Sequence, residues 1–467
     1  MGTTVFERRV PASSVIDHSL QGTVLRTFWL DDVERSAYPA LPGDMTTDLA
    51  IVGGGYTGLW TAVRAKERNP ERRVVVIEAS RVAWAASGRN GGFCEASLTH
   101  GEQNGQTRWP EEMDRLTELG MENLQGIEDT VARYGMDAEF ERTGALTVAV
   151  EPYQVADFAG EHGFLDQEAV RAEVHSDTYL AGIWEKDSCA LLHPAKMGLE
   201  LARVASELGV EIFEQTRVRR IDADATGPVT LVTDRGRVRA HRVALGTNAF
   251  PSLLKRNRLM TVPVYDYVLM TEPLTAEQMA SIGWEHRQGL SDAANQFHYY
   301  RLTADNRILF GGYDAVYFAG GRIRPGYEDR MESHRKLASH FFTTFPQLEG
   351  VRFTHRWAGV IDSCSRFCAF FGTARKGRIA YASGFTGLGV AATRFAADVM
   401  LDRLEGLETE RTSLRMVKEK PLPFPPEPAA SIGVNLVRRA MDKADHNDGK
   451  RGLLLRTLDA VGMGFDS

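Results

Sequence analysis

A glycine-rich turn between an apolar segment and a helical pattern constrains the fold of this chain more than any other feature. The segment Asp48–Val52 leads directly into Gly53-Gly54-Gly55-Tyr56-Thr57-Gly58, and a second apolar segment, Val74–Ile77, ends at Glu78. Gly53 permits the sharp turn from strand to helix, Gly55 lets the backbone approach a pyrophosphate, and Gly58 lets the helix pack closely on the strand. The free N–H groups at the helix start favour phosphates, and a carboxylate at position 78 can accept hydrogen bonds from ribose hydroxyls. These residues predict a strand–helix–strand unit that binds a dinucleotide.

Length and charge exclude several classes of protein. A chain of 467 residues is too long for one compact core, so we expect two domains and an appendage. A net charge of −7 and a pI near 6.0 indicate no basic surface for nucleic acid. The sequence shows no basic start followed by an apolar stretch, and no apolar run approaches the roughly 20 residues that span a bilayer. We therefore expect a cytoplasmic protein with no nucleic-acid or membrane partner.

The cysteines favour neither disulfide bonds nor a metal site. Cys94, Cys189, Cys364 and Cys368 are too few and too scattered for a disulfide framework. Cys364 and Cys368 have no histidine pair nearby, so we expect no zinc and no other metal. This usage fits a reducing compartment.

Helical spacing and turn residues predict further elements. Residues 111–135 carry apolar residues at helical intervals, and residues 195–208 predict a second amphipathic helix that ends at Gly209. A strand at 378–382 leads into another glycine turn and a helix over 390–404. The recurrence of strand, glycine turn and helix here indicates a cofactor larger than a nucleotide.

The carboxyl-terminal part of the chain predicts an appendage. Residues 421–428 contain five prolines and therefore predict a stiff linker. Residues 430–443 then predict an amphipathic helix. We expect this helix to dock on the body of the protein and cover it, with a partner surface and membrane attachment as the alternatives.

A loop of small residues favours FAD over NAD. Ala86–Gly92 stands where an NAD enzyme would begin its next helix, and its small residues let backbone N–H groups approach an extended ligand. Here the chain resembles the D-amino-acid oxidase, glycine oxidase and sarcosine oxidase superfamily of FAD enzymes, and within it the γ-glutamylputrescine oxidoreductase-like branch. The resemblance covers about residues 25–410 and depends on four segments, Ile51–Gly58, Ser87–Gly92, Val243–Asn248 and Gly384–Gly389.

The resemblance implies a fold class of α/β plus antiparallel β with two domains. A Rossmann-type FAD-binding domain, of the glutathione-reductase-like kind, is expected from residues 1–110, 186–260 and 356–410. Residues 111–185 and 261–355 are expected to form a substrate domain built on a large antiparallel sheet. Residues 411–467 supply the proline-rich linker and the helical tail.

The resemblance also implies which residues hold FAD. Ser87–Gly92 would lie along the flavin, Val218 would contact adenine through its backbone, and residues 384–389 would place a helix N-terminus near the pyrimidine end of the ring. A cysteine that links flavin in some relatives falls at Gly359, and Asn90 offers no histidyl linkage, so FAD is expected to be noncovalent. The expected cofactor contacts are Gly53, Gly55, Tyr56, Thr57, Gly58, Glu78, Ala79, Ser80, Ser87, Gly88, Arg89, Asn90, Gly91, Gly92, Val218, Thr247, Asn248, Trp357, Gly359, Gly384, Phe385, Thr386, Gly387, Leu388 and Gly389.

The implied chemistry is oxidation of an amine or amino acid. The lone pair of a neutral amine drives hydride from the α-carbon to flavin N5, the imine hydrolyses, and oxygen is reduced to peroxide. The protein orients the substrate, removes water from around it and keeps its amine neutral. Tyr300 matches an active-site tyrosine, with a plain sheet aromatic as the alternative. Asp314 falls where relatives carry a histidine over the flavin, and it would accept an amine proton, anchor an ammonium, or simply close a turn. Arg301 alternates with Tyr300 across the strand and is kept as a carboxylate or phosphate clamp.

Several departures from the family affect the choice of substrate. Leu388 replaces a histidine usual between the last two glycines, and Cys94 and Ala391 stand where sarcosine oxidase carries a carboxylate-binding arginine and lysine. Cys94 is either a reactive thiol near the flavin or a small buried residue. Trp357 and Phe385 would shape the pocket or serve packing. An amine or a biosynthetic intermediate is therefore favoured over a simple α-amino acid.

Three functions stay open at this level. The first is an oxidase that uses oxygen, and the second is a dehydrogenase that passes electrons to another acceptor. The third is a flavin-binding scaffold that has lost catalysis, for which Leu388 is the argument. The sequence does not distinguish the substrate, its stereochemistry or the oligomeric state.

Overall fold

The computed structural model describes residues 2–460, so residues 461–467 of the predicted tail lie outside the described residues. The strands are β1 (Val24–Leu25), β2 (Met45–Val52), β3 (Val74–Ile77), β4 (Phe93–Glu95), β5 (Ala145–Ala149), β6 (Phe164–Leu165), β7 (Ala181–Glu185), β8 (Cys189–Leu191), β9 (Glu211–Phe213), β10 (Val218–Ala223), β11 (Val229–Thr233), β12 (Arg237–Leu245), β13 (Val262–Thr271), β14 (Gly289–Asp292), β15 (His298–Leu302), β16 (Ile308–Gly312), β17 (Phe353–Ser363), β18 (Phe370–Ala374) and β19 (Ile379–Ser383). The helices are α1 (Val5–Arg8), α2 (Ser13–Leu20), α3 (Phe28–Asp31), α4 (Tyr56–Arg68), α5 (Glu102–Arg108), α6 (Met113–Arg133), α7 (Pro152–Phe158), α8 (Gln167–Glu173), α9 (Pro194–Glu207), α10 (Ala276–Ile282), α11 (Met331–Thr344), α12 (Gly389–Glu405), α13 (Glu410–Ser413), α14 (Arg415–Lys418), α15 (Ala429–Asp445) and α16 (Leu453–Ala460).

The first sheet is of the Rossmann type. Its strands follow the order β10-β11-β12-β2-β3-β9, with β19 beside β12 and β18 beside β19. Strands β12, β2, β3 and β9 run parallel, as does β19 with β12. Ala50, Ile51 and Val76 are fully buried, as expected for a parallel sheet covered on both faces. Helices α4 and α12 pack together on one face of this sheet and cover a large apolar core.

The second sheet is mainly antiparallel and follows the order β1-β17-β13-β16-β15-β14-β5-β7-β6. One face packs against α11 and the amino-terminal helices around an aromatic core that includes Tyr267, Tyr300 and Phe310. The opposite face carries Trp357, Val268 and Tyr299. These side chains pack against Phe28 and Trp29 of α3 and Ala195 of α9. The second face is therefore turned toward the Rossmann domain.

Contacts place three segments differently from the domain boundaries inferred from the sequence. Strand β17 pairs with β13 from Phe353 to Ser363, so a boundary at residue 356 would cut one continuous strand of the second sheet. Strand β1 also joins that sheet, and α2 packs on α11, whereas the resemblance places residues 1–110 in the FAD domain. Helix α6 lies on α12 in the core of the Rossmann domain, not in the substrate domain. Apolar patterns predict elements, but they do not show which sheet an element joins.

The predicted helices are confirmed. Helices α6, α9, α12 and α15 all occur within a few residues of the predicted ranges, and Gly209 follows α9 with a φ of 87°. Helix α15 docks on the body through a polar contact, because the Asp445 carboxylate accepts hydrogen bonds from the Asn295 side chain and backbone. Its apolar residues Ile432 and Leu436 are exposed, so the docking face is not the apolar one. No helix among residues 2–460 is long and apolar enough to cross a bilayer.

Candidate functional site

The glycine turn after β2 forms a tight crossover. Gly53 has a φ of 113°, and a Cβ there would lie 2.4 Å from the carbonyl oxygen of Gly246. A Cβ at Gly58 would lie 1.9 Å from the carbonyl oxygen of Gly53. Since both obstacles are backbone atoms, no side chain can be accommodated at either position without displacing the main chain. The close approach of helix and strand that the motif predicts is therefore present.

Glu78 at the end of β3 stabilises this turn. One carboxylate oxygen accepts a 2.7 Å hydrogen bond from the Gly54 N–H, and the other accepts one of 2.7 Å from the Ser80 N–H. Burial raises the pKa of Glu78, although these hydrogen bonds oppose the shift. Glu78 thus has a structural partner for each oxygen and still borders the space beside the turn.

The crossover opens onto a cavity of about 1580 Å³. This volume exceeds the 300–1,000 Å³ typical of drug-sized ligand sites and suits a dinucleotide. The expected cofactor residues that line the cavity are Gly53, Gly55, Tyr56, Thr57, Glu78, Ala79, Ser80, Ser87, Asn90, Val218, Thr247, Asn248, Phe385, Gly387 and Gly389. Gly387 is open, with no atom within 4 Å of an added Cβ. The donor groups and the open Gly387 fit FAD.

The remaining expected cofactor residues, Gly58, Gly88, Arg89, Gly91, Gly92, Trp357, Gly359, Gly384, Thr386 and Leu388, do not line that cavity. Several of them shape the loop that does. The Asn90 amide donates to the carbonyls of Ala86 and Ser87, and its oxygen accepts from the Gly92 N–H. The Trp357 indole donates to the Arg89 carbonyl at 2.9 Å, so the second sheet holds this loop in place.

Asp362, which sequence reasoning missed, fixes the second glycine turn. Its carboxylate accepts hydrogen bonds from the N–H groups of Gly384 (2.5 Å) and Phe385 (3.1 Å), just before α12 begins. Burial raises the pKa of Asp362 to about 7. An acidic residue directly after the apolar stretch Gly359–Ile361 is the signal that would have identified it.

The family model DAO, FAD dependent oxidoreductase, matches residues 48–403. The chain belongs to this family. FAD is therefore its cofactor, and the family resemblance carried by the four glycine-containing segments is confirmed.

Individual DAO-family proteins resemble the chain over most of its length. It is 32% identical to the gamma-glutamylputrescine oxidoreductase of Escherichia coli (strain K12) over 394 residues, 79% of this chain and 86% of that protein. It is 28% identical to the probable oxidoreductase OrdL of Haemophilus influenzae over 416 residues, 84% of this chain and 90% of that protein. The crystal structure of glycine oxidase from Geobacillus kaustophilus superposes with a TM-score of 0.64 at 19% identity, covering 78% of this chain and 96% of the other. That likeness confirms the expected fold of a DAO-family FAD domain with a sheet-based substrate domain.

The DAO-family cavity lies beside the second sheet, where strand alternation decides which side chains face the Rossmann domain. Tyr300 points into the aromatic core, and its hydroxyl lies 2.7 Å from the hydroxyl of Tyr179. Tyr299 points the other way: a Cβ on Gly91 would lie 2.7 Å from its ring. The role inferred for Tyr300 does not agree with this position, because adjacent residues of a strand face opposite sides. Tyr299 is the tyrosine on the domain-facing side.

Tyr299 is paired with a carboxylate. Its hydroxyl donates a short hydrogen bond to Asp266, which lies opposite Gly359 in the β13–β17 register. Burial raises the pKa of Asp266 to about 6, while the bond from Tyr299 acts to lower it. Both side chains nevertheless keep part of their surface accessible. Neither side chain lines the cavity of about 1580 Å³; both lie on the face of the second sheet that is turned toward the Rossmann domain.

Asp314 has a structural position. Its carboxylate forms ion pairs with Arg330 (2.7 Å) and Lys336 (2.9 Å) and accepts from the Ser333 hydroxyl. Burial acts to raise the pKa of Asp314, but these neighbours lower it overall. A carboxylate that is already paired with two cations is not available to accept an amine proton, which corrects the expectation.

The other three candidate catalytic residues also have structural contacts. Arg301 donates to the Leu192 carbonyl at 2.7 Å and lies over the Trp29 ring, so it does not serve as a clamp. Cys94 is fully buried in the Rossmann core and burial raises its pKa, which favours the small buried residue over the reactive thiol. Leu388 packs against the same core just before α12.

Proposed function

We propose that this DAO-family protein oxidises an amine with FAD bound noncovalently in the cavity. In this proposal the adenosine end lies near Glu78 and Val218, and the ring end lies near Ser87, Asp362 and Phe385. FAD supplies the acceptor for the hydride that leaves the α-carbon of the substrate. The cavity volume, the open glycines and the two helix N-termini that border it support this placement.

The Asp266–Tyr299 pair carries the proposal. Asp266 is placed to accept a hydrogen bond from the substrate N–H and to take the proton of an arriving ammonium, and Tyr299 fixes the orientation of the carboxylate. The position of Asp266 opposite Gly359 puts this carboxylate beside β17, whose next residues Val360–Asp362 line the FAD cavity. The imine that forms hydrolyses in water, and we propose O2 as the final electron acceptor, which yields H2O2.

Arg89 and Arg301, two of the arginines near this site, favour an amine over an α-amino acid held by its carboxylate. Arg89 donates to Glu328, to the Trp84 carbonyl and to the Ala358 carbonyl. Arg301 is likewise engaged by backbone carbonyls. Since both guanidinium groups already have partners, neither is free for the bidentate contact that a substrate carboxylate would need. The similarity to gamma-glutamylputrescine oxidoreductase also favours an amine substrate.

Anaerobic mixing of the holoenzyme with a panel of alkylamines, polyamines and amino acids tests the proposal. We expect an amine to bleach the flavin absorbance, and we expect peroxide in proportion to substrate when air is admitted. Tyr299→Phe should slow bleaching at least tenfold, whereas the matched Tyr300→Phe, which removes only the contact with Tyr179, should leave it unchanged. Bleaching without peroxide would indicate another acceptor. No bleaching by any amine, or a Tyr300 variant slower than the Tyr299 variant, would refute the assignment.

A further inference from the structure

The strand that follows the small-residue loop places a second carboxylate on the same side as the proposed amine site. In β4, Cys94 points into the Rossmann core, so its neighbours Phe93 and Glu95 point the opposite way. Phe93 packs edge-on against Tyr299, with ring centroids 5.9 Å apart, and a Cβ on Gly289 would lie 2.3 Å from its ring. Phe93 therefore contacts the domain-facing side of the second sheet, and Glu95 lies one side-chain repeat, about 7 Å, farther along.

Within the described part of the chain, the Glu95 carboxylate has no partner. Among residues 2–460, no hydrogen bond or ion pair involves its carboxylate. Glu95 lies on β4 beside β8 and the residue that precedes β5. It is opposite Cys189, and the Gly144 N–H donates to the Cys189 carbonyl. Part of its surface stays accessible, as for Asp266. An unpaired acid in such a place is costly unless a ligand supplies the missing cation.

The electrostatic surroundings of Glu95 agree with this interpretation. Burial, with a smaller contribution from Glu185, raises the pKa of Glu95 to about 7. A cation bound beside it would offset both effects. By contrast, the other buried acids discussed above have internal partners: Asp362 accepts from backbone N–H groups, and Asp314 is paired with Arg330 and Lys336.

We propose that Glu95 is a specificity-determining residue that binds a second, positively charged amine of the substrate. This inference rests on the proposed amine oxidation and narrows the substrate class to diamines and polyamines. Asp266 and Tyr299 receive the reacting nitrogen, and Glu95 receives the distant ammonium through a charge-assisted hydrogen bond. The side chain of Phe93 supplies an apolar wall between them for the connecting methylenes.

Binding and reduction measured on the same FAD-loaded protein test the inference. Anaerobic titrations use 1-aminobutane, 1,4-diaminobutane and spermidine and are followed by the flavin spectrum and by calorimetry. We expect the wild type to bind the diamine and the triamine at least tenfold more tightly than 1-aminobutane. Glu95→Gln should remove this preference by weakening diamine and triamine binding at least tenfold relative to 1-aminobutane binding. Glu95→Asp, which keeps the charge, should retain part of the preference.

Glu185→Gln is the matched control, because it removes the carboxylate beside Glu95 from an exposed position and should keep the full preference. A wild type that bleaches with 1-aminobutane as readily as with the diamine and the triamine would overturn the inference and leave amine oxidation standing. Persistence of the preference in Glu95→Gln would overturn it too. Failure of every amine to bind or bleach would overturn both proposals.

Discussion

The close contact between Gly58 and Gly53 predicts that a side chain at position 58 weakens FAD binding. In Gly58→Ala the new methyl carbon would stand 1.9 Å from the Gly53 carbonyl oxygen, whereas real contacts of this kind stay above 3.0 Å. Helix α4 and the turn must therefore separate by about 1 Å. The turn cannot yield easily, because Gly53 has a φ of 113° and borders the Gly246 carbonyl. The start of α4, which borders the FAD cavity, must move instead.

The cost of this movement falls mainly on FAD binding. Overpacking of a closely packed contact costs about 1–3 kcal/mol. The apoprotein relieves that strain by letting α4 move outward, but FAD needs the closed crossover, so the strain reappears as lost affinity. We expect the Kd for FAD to rise about tenfold to a hundredfold. The purified variant should carry less flavin per polypeptide than the wild type.

Titration of apoprotein with FAD, followed by flavin fluorescence, measures the effect, and the ratio of flavin to protein absorbance gives the occupancy. Gly43→Ala is the matched control, since no atom lies within 4 Å of an added Cβ at Gly43. A Gly58→Ala variant that binds FAD within twofold of the wild type, or a Gly43→Ala variant that loses as much affinity as Gly58→Ala, would contradict this expectation.

Four other predictions follow from individual contacts. Asp362→Ala should weaken FAD binding about tenfold, measured by the same titration, because it frees the turn before α12. Cys94→Ala should lower the free energy of unfolding by about 1 kcal/mol in urea without changing the flavin reduction rate. Asp402→Asn, which breaks a 2.7 Å buried ion pair with Arg68, should lower the free energy of unfolding by about 3 kcal/mol. Burial raises the pKa of Asp266 to about 6, and only the ionised carboxylate accepts a proton, so the flavin reduction rate should increase as the pH rises through 6. Asp266→Asn should lack this pH-dependent increase in stopped-flow measurements.

The cofactor half of the site was predictable because it is local in sequence. Gly53, Gly58 and Glu78 belong to one crossover of consecutive elements, so their spacing alone indicates the turn, the close helix–strand contact and the acidic strand end. The second glycine turn was visible for the same reason. Asp362 was missed because its partners lie 22 and 23 residues later in the chain, beyond any local pattern.

The substrate half depended on the direction of side chains. The sequence indicated a strand through Tyr299, Tyr300 and Arg301 and showed that neighbours alternate, but it did not show which face meets the Rossmann domain. Packing of Tyr300 against Phe310 and Tyr179 decided that. Strand alternation likewise turns Cys94 into the Rossmann core and Glu95 to the opposite side of β4.

The sequence by itself determined the FAD-binding crossover, the family and the main helices, because these depend on short-range spacing and on backbone freedom at particular glycines. The tertiary structure alone decided that Tyr299, Asp266 and Glu95 lie on surfaces turned toward the neighbouring domain, and that Asp314 and Arg301 already have internal partners. The physical reason is that a strand presents two equivalent faces, and only its packing against the rest of the protein makes one of them the wall of a cavity.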